Sequence, residues 1–166
     1  MSNAAFTTLS AGLVAATIID LRSRRIPNPL TAAMAAAGIA LAAAGMSGVS
    51  PLASVAGLIA GLALMLPGHL LGATGAGDVK LMAAAGSLLG VQLVVHAFLF
   101  TAIAGGILAL AVALRRKRLS AALAGTGRLL AAPGAMPDQL RSSSAASRFA
   151  YGPAIAIGSI VAALVG

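Results

Sequence analysis

Apolar residues run in long blocks divided by short polar segments. The first block, Ala4 to Ile19, ends at Asp20-Leu21-Arg22-Ser23-Arg24-Arg25, followed by Ile26-Pro27-Asn28-Pro29. The second runs from about Leu30 to Gly45, and the third from about Leu52 to Leu71. Asn28 is placed to act as an N-cap, with Pro29 in the first helical turn, where its missing N–H costs nothing. Met46-Ser47-Gly48-Val49-Ser50-Pro51 reads as an uncharged turn, and Gly72 to Asp78 as a glycine-rich junction. Val79 to Leu114 then carries a single charge, Lys80. As one helix that stretch would be about 54 Å long, against roughly 30 Å of hydrocarbon in a bilayer. It therefore reads as two spans, 79–90 and 92–114, turning near Gly90-Val91-Gln92. A polar loop, 115–148, precedes a last span over 149–165. Within that loop, Leu119 to Leu130 has the make-up of a surface-lying amphipathic helix.

The pattern predicts an all-α polytopic membrane protein, a bundle of six transmembrane helices forming one integral-membrane domain over 1–166. No basic segment precedes the first block, so it reads as a retained span and not a cleaved leader. Gly57 with Gly61, and Gly86 with Gly90, are small-xxx-small pairs suited to close helix packing, most simply inside the bundle.

Composition agrees. Sixty per cent of the 166 residues are hydrophobic and 8% charged, where soluble domains carry roughly 25% charged residues. Cysteine and tryptophan are absent, which excludes disulfides, thiol nucleophiles and Cys-based zinc sites. With aromatics at 3%, stacking platforms for nucleic acid are excluded as well. The net charge of +8 bears first on topology. With six spans, the loops at 20–29, 72–80 and 115–148 share one side and hold all 11 Lys and Arg. Positive loops stay cytoplasmic, so both termini are expected outside. The basic residues Arg22, Arg24 and Arg25, and the run Arg115 to Arg118, serve as topology anchors and attract anionic headgroups.

Only three carboxylates occur: Asp20, Asp78 and Asp138. Asp138, between Pro137 and Gln139, reads as a solvated turn residue. Asp20 closes the first span and Asp78 opens the fourth, which places both at the same membrane edge. An ionisable residue there is a functional candidate. Two adjacent carboxyl groups resist double ionisation and share one proton. One can then take a proton from water while the other polarises a carbonyl. Other readings stay open from the residues alone. Asp20 can pair with Arg24 or Arg25, and Asp78 can pair with Lys80 or cap its helix. A small transporter or assembly subunit can use the two acids as a proton or cation site. Gly75 and Gly77 shift the balance, since they permit unusual dihedrals and close backbone approach beside Asp78. His69 lies near the same edge and His96 far from it. Ser87 with His96 lacks an orienting acid.

Gly75-Ala76-Gly77-Asp78-Val79-Lys80 resembles the GxGD signature of intramembrane aspartic proteases. Asp20 followed by Arg24, Arg25 and Ile26-Pro27-Asn28 resembles the first catalytic segment of the type IV prepilin peptidases, and Tyr151-Gly152-Pro153 resembles a further shared segment. The resemblance implies a peptidase of the bacterial cytoplasmic membrane. Its protein partners would be prepilins or pseudopilins, cut at the cytoplasmic face after a short basic leader, usually just after a glycine. It implies Asp20 and Asp78 as the catalytic pair. Gly75, Gly77, Lys80, Pro27, Asn28 and Tyr151 are expected to shape the site or bind substrate. No metal and no cofactor are expected. Larger members carry a Cys-rich zinc-binding insertion after the first span and methylate the new N-terminus. Without cysteine, and with a short first loop, this chain resembles the peptidase-only branch of tight-adherence (Flp-type) pilus systems. Ile19 before Asp20 fits the presenilin branch poorly, and Ala150 stands where many relatives of the prepilin branch have proline.

Overall fold

In the computed structural model, residues 1–115 and 151–166 are described. Helix α1 (Asn3–Ser23) starts where the Ser2 hydroxyl accepts the Ala5 N–H and stops at Arg24, which adopts a left-handed conformation with φ 52°. It therefore continues through Asp20, past the end of the apolar block, because Leu21-Arg22-Ser23 has no residue that breaks a helix. Helix α2 (Asn28–Ala43) carries a proline in its first turn and has no side-chain cap. Asn28 is thus not the N-cap expected from the sequence; its side chain is committed elsewhere. Helix α3 (Pro51–Leu70) is capped by Ser50. It ends in a Schellman turn at Gly72, φ 73°, where the Gly72 and Ala73 N–H groups bond the carbonyls of His69 and Gly68.

Helix α4 (Ala76–Arg115) is interrupted at Gly90, whose φ 77° and ψ 176° are non-helical. The break falls at the turn expected from the length of the apolar run. Every residue from Leu81 to Gly90 is buried, as suits a segment that is apolar all round. Helix α5 (Gly152–Val165) completes the described part. The amphipathic segment expected at 119–130, Asp138 and the start of the last span at 149–150 lie outside the described residues. Three helical stretches, Asn3–Ser23, Pro51–Leu70 and Ala76–Leu108, are long and apolar enough to cross a membrane, and α2 and α5 are shorter apolar helices. The protein is all-helical over its described residues and has the character of an integral membrane protein.

The first half of α4 is the axis of the bundle. It packs most extensively on α3, through the two glycine pairs noted in the sequence. A Cβ on Gly57 would strike the Gly86 carbonyl oxygen, and one on Gly86 would strike that of Gly57. The backbones are therefore in direct contact, as small-residue helix packing in lipid requires. Ser54 adds a hydrogen bond, its hydroxyl donating to the Ser87 carbonyl at 2.7 Å. Ser87 donates in turn to the Ala84 carbonyl at 2.8 Å, so its hydroxyl is occupied within the helix, while His96 is exposed beyond the break. Leu9 and Leu13 of α1, Met34 of α2, Met65 of α3 and Ile155 of α5 close around Leu81, Met82 and Leu88.

Contacts between distant residues define two ends. At one, the Ser2 N–H bonds the Ser47 carbonyl at 3.2 Å, Val49 lies beside Gly90, and Leu93 beside Gly166. At the other lie Asp20, Ile26, Asn28, Asp78, Lys80 and Gly152.

Because the Gly57–Gly86 contact is backbone on backbone, Gly86→Ala is expected to lose about 1–3 kcal/mol of stability, the usual cost of overpacking. Gly106→Ala, with open space around it, is expected to be neutral or to gain up to about 1 kcal/mol from helix propensity. Unfolding in detergent micelles measures both.

Candidate active site

Asp20 occupies the last turn of α1 with 5% of its surface exposed, and Asp78 the first turn of α4 with 7%. Buried carboxylates demand hydrogen-bond donors, and each finds one on the main chain at a glycine. Asp78 Oδ2 accepts the Gly75 N–H at 2.9 Å, while the Gly75 carbonyl accepts the Asp78 N–H at 3.1 Å. The first of these bonds is the acidic half of a capping box, so the helix-capping role open to Asp78 from sequence is realised. Asp20 Oδ2 accepts the Gly152 N–H at 3.0 Å, across 132 residues. The exposed side chains of Arg24 and Arg25 leave that place to the α5 backbone. Neither Oδ1 accepts a hydrogen bond among the described residues.

The negative charge of Asp20 bears on Asp78 through space, and the Asp78 charge bears in turn on the Tyr151 hydroxyl. The end of α1, the start of α4 and the start of α5 thus converge. Tyr151 is half-buried and its ring lies against Gly105, in the second half of α4, where any Cβ would meet it.

The glycines of the signature act by leaving room. Gly75 and Gly77 are not among the residues with positive φ, so the unusual dihedrals expected of them are not observed. A Cβ on Gly77 would stand 3.1 Å from the Ile26 Cβ, and one on Gly75 3.1 Å from Asp78 Oδ2. Ile26, buried at 8% exposure, seats the segment after α1 against the start of α4. Its one signal in the sequence was its place between Arg25 and Pro27. Pro27 precedes α2 in an extended conformation, with ψ 134°, and turns the chain from Ile26 into Asn28. Lys80 Nζ donates to Asn28 Oδ1 at 2.9 Å, which ties the start of α2 to α4. His69 Nδ1 lies 3.0 Å from the Thr74 carbonyl and holds the junction that leads into Gly75.

Two buried acids at one end of an apolar bundle, each steadied by one backbone donor, have the parts for proton exchange with water. A model of the type IV leader peptidase family matches residues 7–110 of the chain. The chain belongs to the type IV leader peptidase family. The match takes in both acids and the Gly-x-Gly before Asp78 but stops short of Tyr151 and Gly152. No curated protein and no solved structure matches the chain. Membership marks this leader peptidase as a hydrolase of peptide bonds, which sets aside the transporter reading. Among its described residues no group of three or more His, Asp or Glu side chains gathers into a metal-binding cluster.

The Lys80–Asn28 bond is exposed, so its stabilising effect is expected to be small. Lys80→Met and Asn28→Ala should each cost less than about 1 kcal/mol, and the double substitution no more than the larger single one. Thermal unfolding of the three variants checks this.

Proposed function

We propose that the protein is a membrane aspartic endopeptidase that removes the short basic leader from prepilin or pseudopilin substrates at the cytoplasmic face, with Asp20 and Asp78 as its catalytic pair. The observation that carries this reading is the burial of the two carboxylates within electrostatic reach of each other at one end of the bundle.

Hydrolysis needs a nucleophile made from water and a proton for the leaving nitrogen. Two mutually repelling carboxyl groups in a poorly solvated site favour a singly protonated pair. The ionised member removes a proton from water as it attacks the scissile carbonyl. The protonated member donates a hydrogen bond to the carbonyl oxygen. The amide nitrogen then takes a proton as the C–N bond breaks, and the pair returns to holding one. The bonds from Gly75 and Gly152 fix one oxygen of each carboxyl group, which leaves the other to face water and substrate. Gly75 and Gly77 leave the approach to Asp78 uncluttered for an extended substrate chain, and Tyr151 borders it. Pro27, Asn28 and Lys80 shape the neighbouring turn.

The proposed topology has six crossings, with α4 counted as two at Gly90, and both termini outside. The basic residues around Asp20 and after α4 then face the cytoplasm, as the distribution of positive charge requires. The bilayer and its anionic headgroups are the lasting partners, and the prepilin the transient one.

Asp20→Asn and Asp78→Asn are each expected to slow cleavage of a precursor with a basic, glycine-terminated leader by about 10²–10⁴-fold, the range for losing a general acid–base group. Protein level should be unchanged; full cleavage by both variants excludes the pair. The natural absence of cysteine permits a topology test. A thiol reagent that cannot cross membranes should label Ser2→Cys on intact cells and Ser23→Cys only after the membrane is opened.

A further inference from the structure

Gly152 stands directly against the Asp20 side chain. It is buried, it opens α5, and its N–H points at Asp20 Oδ2 at 3.0 Å. A Cβ built on it would lie 2.8 Å from that Oδ2, 3.2 Å from the Asp20 Cβ and 3.3 Å from its Cγ. All three nearest atoms belong to one short side chain. Asp has no flexible far end to yield, so a substituent at 152 would separate the carboxyl group from the N–H that holds it, by turning the one or displacing the other. Pro153 follows, and the residue before a proline disfavours helical geometry when it carries a Cβ. That gives glycine a second, purely backbone advantage here, from which any role toward Asp20 must be separated.

We infer that Gly152 is a positioning residue for Asp20: its main-chain N–H fixes one carboxyl oxygen, and its missing side chain keeps the other directed into the site. The inference rests on the reading of Asp20 as catalytic. The same device serves Asp78, where the donor is the Gly75 N–H at 2.9 Å and a Cβ would lie 3.1 Å from Oδ2. The two acids thus have matching holders, one local in sequence and one supplied by the last helix, so α5 must be docked before Asp20 is set.

The test compares the full-length protein with Gly152→Ala, Asp20→Ala and the double variant in detergent micelles. The cleavage probe is a synthetic precursor peptide with a short basic leader ending in glycine. Gly152→Ala is expected to lower kcat by about tenfold or more, as misplacing a reacting group does, with KM changed by less than about threefold. It should lower the unfolding midpoint by about 4 °C or more when Asp20 is present and by clearly less in the Asp20→Ala background, a coupling expected of residues in contact. Equal falls in the two backgrounds would reduce Gly152 to its backbone role before Pro153 and overturn the inference, as would an unchanged kcat. If Gly152→Ala does not accumulate as folded protein, rescue by Asp20→Ala supports the inference and failure of rescue defeats it. Retained cleavage by Asp20→Asn and Asp78→Asn would sink the reading of the two acids as the catalytic pair separately, because the stability coupling needs no catalysis.

Discussion

A carboxylate withdrawn from water into an apolar bundle is costly unless donors meet it, and this molecule has two within electrostatic reach. The available polar side chains are few, so the donors are peptide groups. Both donors stand at glycines, where no Cβ crowds the carboxyl group they hold. Helix placement follows from this requirement. The end of α1, the start of α4 and the start of α5 must meet at one point, and the backbone contact of Gly57 with Gly86 lets α3 and α4 pack closely enough to leave room for them.

The family membership and this geometry support one another from different directions. The matched region holds both acids, while the residue that completes the setting of Asp20 comes from beyond it. Within the matched segment alone, Asp20 would lack the Gly152 donor. The last helix supplies that partner and so belongs to the site as much as to the bundle wall.

Much of this was legible in the sequence. The apolar blocks marked the helices to within a few residues, since their length and lack of charge admit little else. The break at Gly90 followed from a stretch too long for one crossing. The glycine pairs announced close packing, and the two acids stood out because the chain has only one other. The long-range pairings were not legible. Nothing in a one-dimensional pattern tells that Gly152 bonds Asp20 or that Lys80 turns to Asn28, because each depends on which helix faces come together. Asn28 was misread as a cap for the same reason: local rules favoured it, and a tertiary partner claimed its side chain. The dihedral role assigned to Gly75 and Gly77 failed because they provide space, which is visible only once Ile26 and Asp78 are in place.

Helix α2, of 16 residues, rises only about 24 Å, short of the roughly 30 Å of a hydrocarbon core. In the proposed topology, lipid alongside it would thin or the polar boundary would dip. The start of α2 lies at the end that holds the carboxylates, so in that topology the aqueous phase would come down toward them. An enzyme that consumes water within a membrane would gain its supply from the shortness of one wall, without opening a channel through the bundle.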